Sequence, residues 1–135
     1  MTDPMHETLL AQAREAAASA YAPYSDFHVG AVVVADDGRV FTGANIENSA
    51  YGATICAEAN AISTAAAAGV RKIETVAVAC LDTGECYPCG NCRQVMREFN
   101  VDVIIVQEPA AGYRVHTLAE LLPNAFGPDQ LSGTE

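Results

Sequence analysis

Apolar residues recur at helical spacing near the start of the chain, at Leu9, Leu10, Ala13, Ala16, Ala17 and Ala20. This spacing puts them on one face and predicts an amphipathic helix over residues 6–20. The segment Tyr21-Ala-Pro-Tyr-Ser25 ends it, because proline disfavours helix at the preceding residue. A valine-rich run over 27–35, a turn at Asp36-Asp37-Gly38 and a second run over 39–43 predict a β-hairpin.

Helical and strand patterns alternate in the rest of the chain. A polar loop over 45–53 precedes a helix that we expect Thr54 to cap and Gly69 to stop. Further along, the pattern predicts strands at 73–80, 101–106 and 113–116. It also predicts two helices, one that begins at Pro88 and a short one over 118–122. The polar tail from Pro128 is predicted to fray.

This alternation after a starting hairpin indicates an α/β protein with helices on both faces of its sheet. A length of 135 residues suits one compact domain and is too short for two of typical size. We therefore expect a single domain over residues 1–135.

Composition narrows the class of protein. The apolar stretches are broken before a membrane-spanning length, and the first residues lack the basic region and apolar core of a secretory signal. Seventeen acidic against seven basic residues give a net charge of -10, which repels a phosphate backbone. We therefore expect a cytoplasmic protein that binds neither membranes nor nucleic acid.

The chain has five cysteines, at positions 56, 80, 86, 89 and 92. An odd number without an export signal does not describe a disulfide framework, and clustered thiols in a reducing cytosol are more often metal ligands or catalytic groups. Taken alone, Cys89-Gly-Asn-Cys92 fits a thioredoxin-like redox pair, half of a structural zinc site, or part of a catalytic zinc site with water as fourth ligand.

Helix geometry favours the catalytic zinc site. If Thr54 and Pro88 begin their helices, Cys56 and Cys89 lie in first turns and Cys92 lies one turn after Cys89 on the same face. Both positive helix ends then point at one place and favour the thiolate form that binds metal. Taken alone, Cys56 reads as a small buried hydrophobe in an alanine-rich helix.

Glu58, two residues after Cys56, also favours a catalytic zinc site. It is an acid inside an otherwise apolar helix. Burying it costs about 2 kcal/mol or more unless a group such as a metal-bound water compensates. Cys-x-Glu at one helix start and Pro-Cys-x-x-Cys at another is the zinc-deaminase signature in its three-cysteine form. The sequence thus predicts a Zn²⁺ held by Cys56, Cys89 and Cys92, with Cys86 left over.

Beyond these motifs, nearly the whole chain resembles the small, homotetrameric cytidine deaminases. The matching blocks are Tyr21-Ala-Pro-Tyr-Ser25, Phe27-His-Val-Gly-Ala31, Gly43-Ala-Asn-Ile-Glu-Asn48, Cys56-Ala-Glu58, Pro88-Cys-Gly-Asn-Cys-Arg-Gln94, and Glu120-Leu-Leu-Pro123 with Phe126-Gly-Pro128. The resemblance implies a three-layer α/β/α fold with a mixed sheet of about five strands, one zinc per subunit, and hydrolysis of cytidine and deoxycytidine to uridine or deoxyuridine plus ammonia, as in pyrimidine salvage.

The resemblance also implies roles for individual residues. Asn45 and Glu47 would hydrogen-bond the ribose hydroxyl, and Phe27 would pack near the bound nucleoside. The Ala57 backbone N–H and Glu58 would hold the pyrimidine edge, and Glu58 would move protons from the attacking water to ring N3 and to the departing amine.

Two further roles depend on the implied tetramer. Tyr51 and Phe126 would complete the site from neighbouring subunits, Phe126 by stacking on the base. Without the resemblance, the aromatic positions read only as core residues.

The chain departs from the family pattern beside these motifs. Ala59 stands where the family commonly has an arginine that donates to the zinc thiolates, and Asn60 replaces a usual threonine. Without that arginine, a site of net charge -1 would raise the pKa of the zinc water, unless the helix N-termini or Arg93 compensate. Tyr87 replaces a usual serine near the expected position of the exocyclic amine.

Two other functions stay open on the sequence. Blasticidin-S deaminases share the zinc motif but lack the full Asn-x-Glu-Asn ribose loop present here, and Tyr87 keeps a modified cytosine nucleoside in consideration. A non-catalytic zinc or redox module would recruit Cys80 or Cys86 as fourth ligand, or form a Cys89–Cys92 disulfide.

Overall fold

The computed structural model describes residues 3–82, 84–110 and 112–132. Its strands are β1 Val29–Ala35, β2 Val40–Ala44, β3 Ile73–Cys80, β4 Val103–Glu108 and β5 Gly112–Thr117. Its helices are α1 Pro4–Ala17, α2 Ala57–Ala67, α3 Gly90–Glu98, α4 Leu118–Leu121 and α5 Pro128–Ser132, and a 3₁₀ turn covers Tyr51–Ala53. Within these described ranges, every helix is too short or too polar to cross a bilayer.

The five strands form one mixed sheet in the order β2-β1-β3-β4-β5. The predicted hairpin is confirmed, since β1 and β2 pair antiparallel with Gly30 opposite Ala44 and Val34 opposite Val40. β3 and β4 pair in parallel and α3 connects them, as parallel neighbours require a crossover. The remaining pairs, β1 with β3 and β4 with β5, are antiparallel.

Helices cover both faces of the sheet. Alternate residues of a strand point to opposite faces, so Val32 of β1 packs under α1 while Val33 faces α2 and α3. Leu9, Leu10 and Ala13 form the α1 side of the core. The larger core, which includes Ile62 of α2 and Met96 of α3, lies on the other face. The predicted three-layer α/β/α fold is confirmed.

Two glycines let helices approach the sheet at backbone distance. A Cβ added at Gly43 of β2 would lie 2.5 Å from Ala61 N and 2.8 Å from Ala57 O, both in α2. On the opposite face, a Cβ at Gly30 of β1 would lie 2.6 Å from the backbone N of Ala17 in α1. Gly43 therefore sets the height of α2 above the sheet, and α2 carries the motif residues that follow Cys56.

The predicted start of α2 at Thr54 is wrong by two residues. Ile55 pairs with Ile46 through reciprocal N–H···O=C bonds of 2.9 Å, and this bridge holds the chain extended up to the helix. Thr54 has extended backbone angles, and its hydroxyl accepts a hydrogen bond from the Asn48 N–H at 3.1 Å. The N-cap of α2 is consequently Cys56.

The start of α3 differs from the prediction in the same way. Pro88 lies one residue before the N-cap, which is Cys89, and the helix begins at Gly90. The segment from Pro128, predicted to fray, forms the short helix α5 over the described residues. An ion pair of 3.1 Å between Arg97 of α3 and Asp129 ties this helix to the body of the protein.

Candidate metal centre and substrate cleft

Two of the three motif cysteines occupy helix N-cap positions. Cys56 precedes α2 and Cys89 precedes α3, and neither side chain makes the capping hydrogen bond that serine, threonine or aspartate makes there. Both sulfurs therefore remain available to a ligand beside unpaired N–H groups and the positive end of a helix. Cys92, in the first turn of α3, is fully buried.

The structure brings these three sulfurs together, and we call Cys56, Cys89 and Cys92 the cysteine cluster. Their sulfur atoms all lie within 4.8 Å of one another, and the Cys56–Cys89 separation is 3.8 Å. Tetrahedral zinc with Zn–S bonds of about 2.3 Å separates two sulfurs by about 3.8 Å. The donor set and its spacing therefore fit Zn²⁺.

Hydrogen bonds among the three thiols determine which of them ionises first. A hydrogen bond from Cys92, supported by one from Cys89, lowers the pKa of Cys56 to about 6 although burial opposes the shift. Donating to Cys56, together with burial, raises the pKa of Cys92. Cys56 is thus the first thiolate at neutral pH, and a metal that binds all three sulfurs must displace the remaining protons.

Glu58 lies against the cluster, with its Oε1 atom 3.6 Å from the sulfur of Cys92. The side chain is only 4% exposed. Burial raises the pKa of Glu58 to about 7, and negative charge on Cys56 acts in the same direction. A carboxyl group that titrates near neutral pH can both accept and donate protons under working conditions.

The other two cysteines form a separate pair. Cys86 and Cys80 are both buried, and they hydrogen-bond to each other. Burial, followed by this contact, raises the pKa of Cys86, which disfavours the thiolate that a metal needs. Among the described residues, the group with metal-binding spacing contains the cysteine cluster and neither Cys80 nor Cys86. A fourth sulfur ligand therefore lacks support.

A cleft of about 340 Å³ opens over Cys56 and Cys89. Its walls include Phe27, Asn45 and Ala57, which the resemblance places in the substrate site, together with Glu58. Apolar walls with a few converging polar groups are typical of small-molecule sites.

Asn45 is buried, and part of its hydrogen-bonding capacity is already used. Its Oδ1 accepts from the Val29 N–H at 2.9 Å, and its Nδ2 donates to the Phe27 carbonyl at 2.9 Å. The side chain thereby fixes the chain where it enters β1. One amide hydrogen and one lone pair remain for a ligand in the cleft.

Glu47 lies in an adjoining hollow with Tyr24, Ser25 and Tyr51. Its carboxylate accepts from the Ser25 hydroxyl and from the backbone N–H groups of Tyr24 and Ser25. These bonds, the Ser25 hydroxyl first, lower the pKa of Glu47 and keep it ionised as an acceptor. Thr54 borders both this hollow and the cleft, so the two are neighbours.

The two aromatic residues expected to act between subunits are both exposed. Tyr51 is 79% exposed and Phe126 is 56% exposed. Tyr51 stands at the rim of the hollow, 6.4 Å from Tyr24 between ring centroids. Phe126 follows α4, and its carbonyl accepts from Gln94 Nε2 at 2.9 Å. Phe126 is not among the residues that line the cleft of its own chain.

Two N–H groups of Arg93 donate to backbone carbonyls and not to the sulfurs. Its Nε donates to the Pro88 carbonyl at 2.8 Å and its Nη1 to the Leu121 carbonyl at 2.8 Å, so it braces the loop before α3 against α4. Asn60 also has a supporting contact, since its Nδ2 donates to the Ala44 carbonyl at 2.8 Å. The helix N-termini add positive potential beside the sulfurs.

Tyr87 forms part of the cleft wall, and its hydroxyl is directed to β4 and β5. The hydroxyl lies 3.0 Å from His116 Nε2 and 3.4 Å from Glu108 Oε2. The ring also contacts the imidazole at 5.4 Å between centroids. These contacts hold the tyrosine ring in the wall of the cleft that Cys89 also lines.

Several residues around the cleft were not assigned a role from the sequence. Thr54, Glu85, Val29 and Val78 line it, and Ser25 orients Glu47. Thr54 and Glu85 lie within a few positions of the cysteine motifs, and this proximity was a usable signal. Val29 and Val78 reach the cleft through sheet pairing, which local sequence does not reveal.

Comparison with known proteins agrees with this geometry. Residues 3–108 match the family model described as cytidine and deoxycytidylate deaminase zinc-binding region. A cytidine deaminase from Mycobacterium tuberculosis is 42% identical over 133 residues, covering 97% of this chain and 96% of its own. Another, from Sporosarcina psychrophila, is 44% identical over 128 residues, covering 93% and 94%.

Solved structures show the same likeness. The crystal structure of cytidine deaminase from Burkholderia pseudomallei superposes with a TM-score of 0.84 at 42% identity, covering 93% of this chain and all of its own. The M. tuberculosis enzyme gives a TM-score of 0.77 at 39% identity, covering 93% and 99%. The α/β/α fold, with three sulfurs beside a buried glutamate, is that of the zinc-dependent deaminases. The chain belongs to the cytidine and deoxycytidylate deaminase family.

Proposed function

We propose that this protein deaminates cytidine and deoxycytidine hydrolytically, releasing ammonia and the corresponding uridine. The observation that carries the proposal is the position of Glu58, buried against Cys92 at a cleft that Asn45 and Phe27 also line. The names of the relatives, which are cytidine deaminases at about 40% identity, support the choice of substrate.

Cys56, Cys89 and Cys92 would hold one Zn²⁺ per chain. When bound, the metal supplies Lewis acidity that makes water a nucleophile at neutral pH. Three protein ligands are the number typical of catalytic zinc sites, which keep one position for water or substrate. The pair of Cys80 and Cys86 stays outside this set.

Glu58 performs the proton transfers. It accepts one proton from the attacking water and delivers it to ring N3 as the oxygen bonds to C4. It then takes the second proton from the new C4 hydroxyl and delivers it to the amine, so that the C4–N bond breaks, C4=O forms and ammonia leaves. One carboxyl group can do this because the acid and base steps alternate. Burial keeps the group out of bulk water, and its raised pKa, about 7, suits both directions of transfer. A bound Zn²⁺ beside it favours the carboxylate at the start of the cycle.

The nucleoside would lie along the cleft, with its base toward Glu58. The Ala57 N–H is the first of α2, so it has no acceptor within the helix and can donate to the pyrimidine edge. Asn45 has hydrogen-bonding capacity left, and the ionised Glu47 is an acceptor suited to a ribose hydroxyl. Phe27 would pack near the bound nucleoside.

We also propose that the site is completed in a homotetramer in the cytoplasm. Tyr51 and Phe126 are exposed aromatic groups outside the cleft of their own chain, and both would act in a neighbouring subunit's site. The five free thiols suit a reducing compartment.

A panel of nucleosides tests the proposal. The purified protein is assayed with cytidine, deoxycytidine and N4-substituted or aminoacylated cytosine nucleosides, with zinc content measured on the same samples. We expect one zinc per chain and equimolar ammonia and uridine product from the unmodified nucleosides. Preferential turnover of the modified nucleosides, or bound zinc with no turnover of any, would contradict it.

A further inference from the structure

The segment that carries Phe126 is held against α3 by two side chains. Gln94 donates from Nε2 to the Phe126 carbonyl at 2.9 Å, and Arg97 pairs from Nη2 with Asp129 Oδ1 at 3.1 Å. Positions 94 and 97 are one turn apart and lie on the same side of α3. The segment is therefore attached on both sides of Gly127.

Gly127 is the point where Arg97 crosses the segment. The residue is buried, and a Cβ added there would lie within 2.8 Å of Arg97 Nε and closer still to the guanidinium carbon. The guanidinium therefore rests directly on the backbone of Gly127. The Gly127 N–H donates to Gln130 Oε1 at 2.6 Å, which closes the turn into α5.

This clamp fixes a backbone whose side chain is largely exposed. Phe126 is 56% exposed, so packing within its own chain does not hold the ring firmly. The contacts just described instead restrain the peptide groups on either side of its Cα.

We infer that Arg97, with Gln94, is a positioning residue that presents Phe126 for binding the nucleoside base. The inference rests on the proposed function, in which Phe126 stacks on the base in a neighbouring subunit. Arg97 is not among the residues that line the cleft of its own chain, and its effect passes through the Phe126–Gly127 backbone. The side chain of Arg97 is 24% exposed and that of Asp129 is 58% exposed, so the ion pair is partly screened and its effect is modest.

Four proteins form the main test: the wild type, Arg97→Met, Phe126→Ala and the double variant. Loss of base stacking weakens binding of the ground state and the transition state equally, so KM should rise while kcat stays unchanged. We expect Phe126→Ala to raise KM for cytidine about tenfold and Arg97→Met to raise it about threefold to fivefold. In the double variant, Arg97→Met should add nothing to the effect of Phe126→Ala.

Arg39→Met serves as a negative control, and Gly127→Ala perturbs the same contact from the other side. Arg39→Met removes an ion pair of 2.9 Å with Asp37 at the β1–β2 turn and a hydrogen bond to the Ala68 carbonyl at the end of α2, and neither partner lies in the segment of Phe126. This variant should leave KM unchanged. Gly127→Ala should reproduce Arg97→Met, because its Cβ displaces the guanidinium. Zinc content and sedimentation velocity are measured for every variant.

A second readout needs no activity. The chain contains no tryptophan, so Phe126→Trp introduces a single tryptophan at this position, which can be excited at wavelengths that its five tyrosines do not absorb. We expect its time-resolved anisotropy to show greater local mobility when Arg97→Met is added. Arg97→Lys should restore part of the rigidity, and Arg39→Met should change nothing.

The outcomes separate the inference from the function on which it rests. No turnover of cytidine by the wild type would overturn the proposed function. An unchanged KM in Phe126→Ala would overturn the stacking role of Phe126 and with it this inference. If Phe126→Ala raises KM but Arg97→Met has no effect, or raises it equally in both backgrounds, the positioning role alone is overturned.

Discussion

Gly43→Ala tests how α2 is placed over the sheet. The added Cβ would lie 2.5 Å from Ala61 N, 2.8 Å from Ala57 O and 3.0 Å from Ala61 Cα. Non-bonded heavy atoms prefer a separation of about 3.5 Å, so the helix must move away by about 1 Å. All three contacts are with backbone atoms, which cannot move aside as a side-chain end can.

Two consequences follow from that displacement. Overpacking of this kind lowers the free energy of unfolding by about 1–3 kcal/mol. The moving helix also carries Cys56 at its N-cap and Glu58 in its first turn. A 1 Å misplacement of catalytic groups can reduce rate about 100-fold, so we expect kcat/KM for cytidine to fall by about that factor.

Gly30→Ala is the matched control on the other face of the sheet. Its Cβ would overlap the Ala13 carbonyl oxygen, lie 2.6 Å from Ala17 N and displace α1, which carries none of the site residues. Urea denaturation of the zinc-loaded proteins, followed by steady-state kinetics, should show a loss of stability in Gly30→Ala at least as large as that in Gly43→Ala, because the backbone overlap at Gly30 is closer. The loss of kcat/KM should be confined to Gly43→Ala. Equal kinetic damage in both variants, or wild-type turnover in Gly43→Ala, would refute the reasoning.

Further substitutions probe the metal centre and the cleft. Cys86→Ser should keep one zinc per chain by elemental analysis, whereas Cys92→Ser should lose it; loss of zinc in both would place Cys86 among the ligands. Glu58→Gln should retain zinc and nucleoside binding by calorimetry but lower kcat about 10²- to 10⁴-fold, the range for lost acid–base catalysis, and an undiminished kcat would remove Glu58 from the mechanism. Tyr87→Ser should improve turnover of N4-methylcytidine relative to cytidine because it removes a wall that His116 immobilises, and Tyr87→Phe should not; equal ratios in all three proteins would exclude Tyr87 as a determinant. Removing zinc should lower the melting temperature, since a metal at 100 times its Kd adds about 2.7 kcal/mol of stability, and an unchanged melting temperature would argue against a site built into the fold.

Much of the fold could be predicted from local pattern. β3 was predicted at its observed bounds, because its apolar residues run between clear turn signals at Gly69 and Asp82. The starts of α2 and α3 were predicted two residues too early, whereas α4 begins at the predicted Leu118. At α2 the cause is not local. Ile55 is held extended by Ile46, nine residues earlier, and this bridge delays α2 until Cys56.

The residues of the candidate site likewise fall into a group that local sequence predicts and a group that only the fold brings together. The three cysteines and Glu58 belong to two short motifs, so their spacing alone predicted a shared metal centre. The contacts of Asn45 with Phe27 and Val29, and those of Tyr87 with His116, join segments that only the sheet brings together. The clamp of Arg97 on Gly127 was likewise invisible, because it depends on where the chain returns after β5.

X-ray absorption at the zinc edge of the purified protein tests the central claim most directly. We predict three sulfur neighbours at about 2.3 Å and one oxygen or nitrogen neighbour at about 2.0 Å. Addition of a tight-binding cytidine analogue should change the light neighbour and leave the sulfur shell intact. Four sulfur neighbours, insensitive to nucleoside, would show a closed structural site and contradict the account.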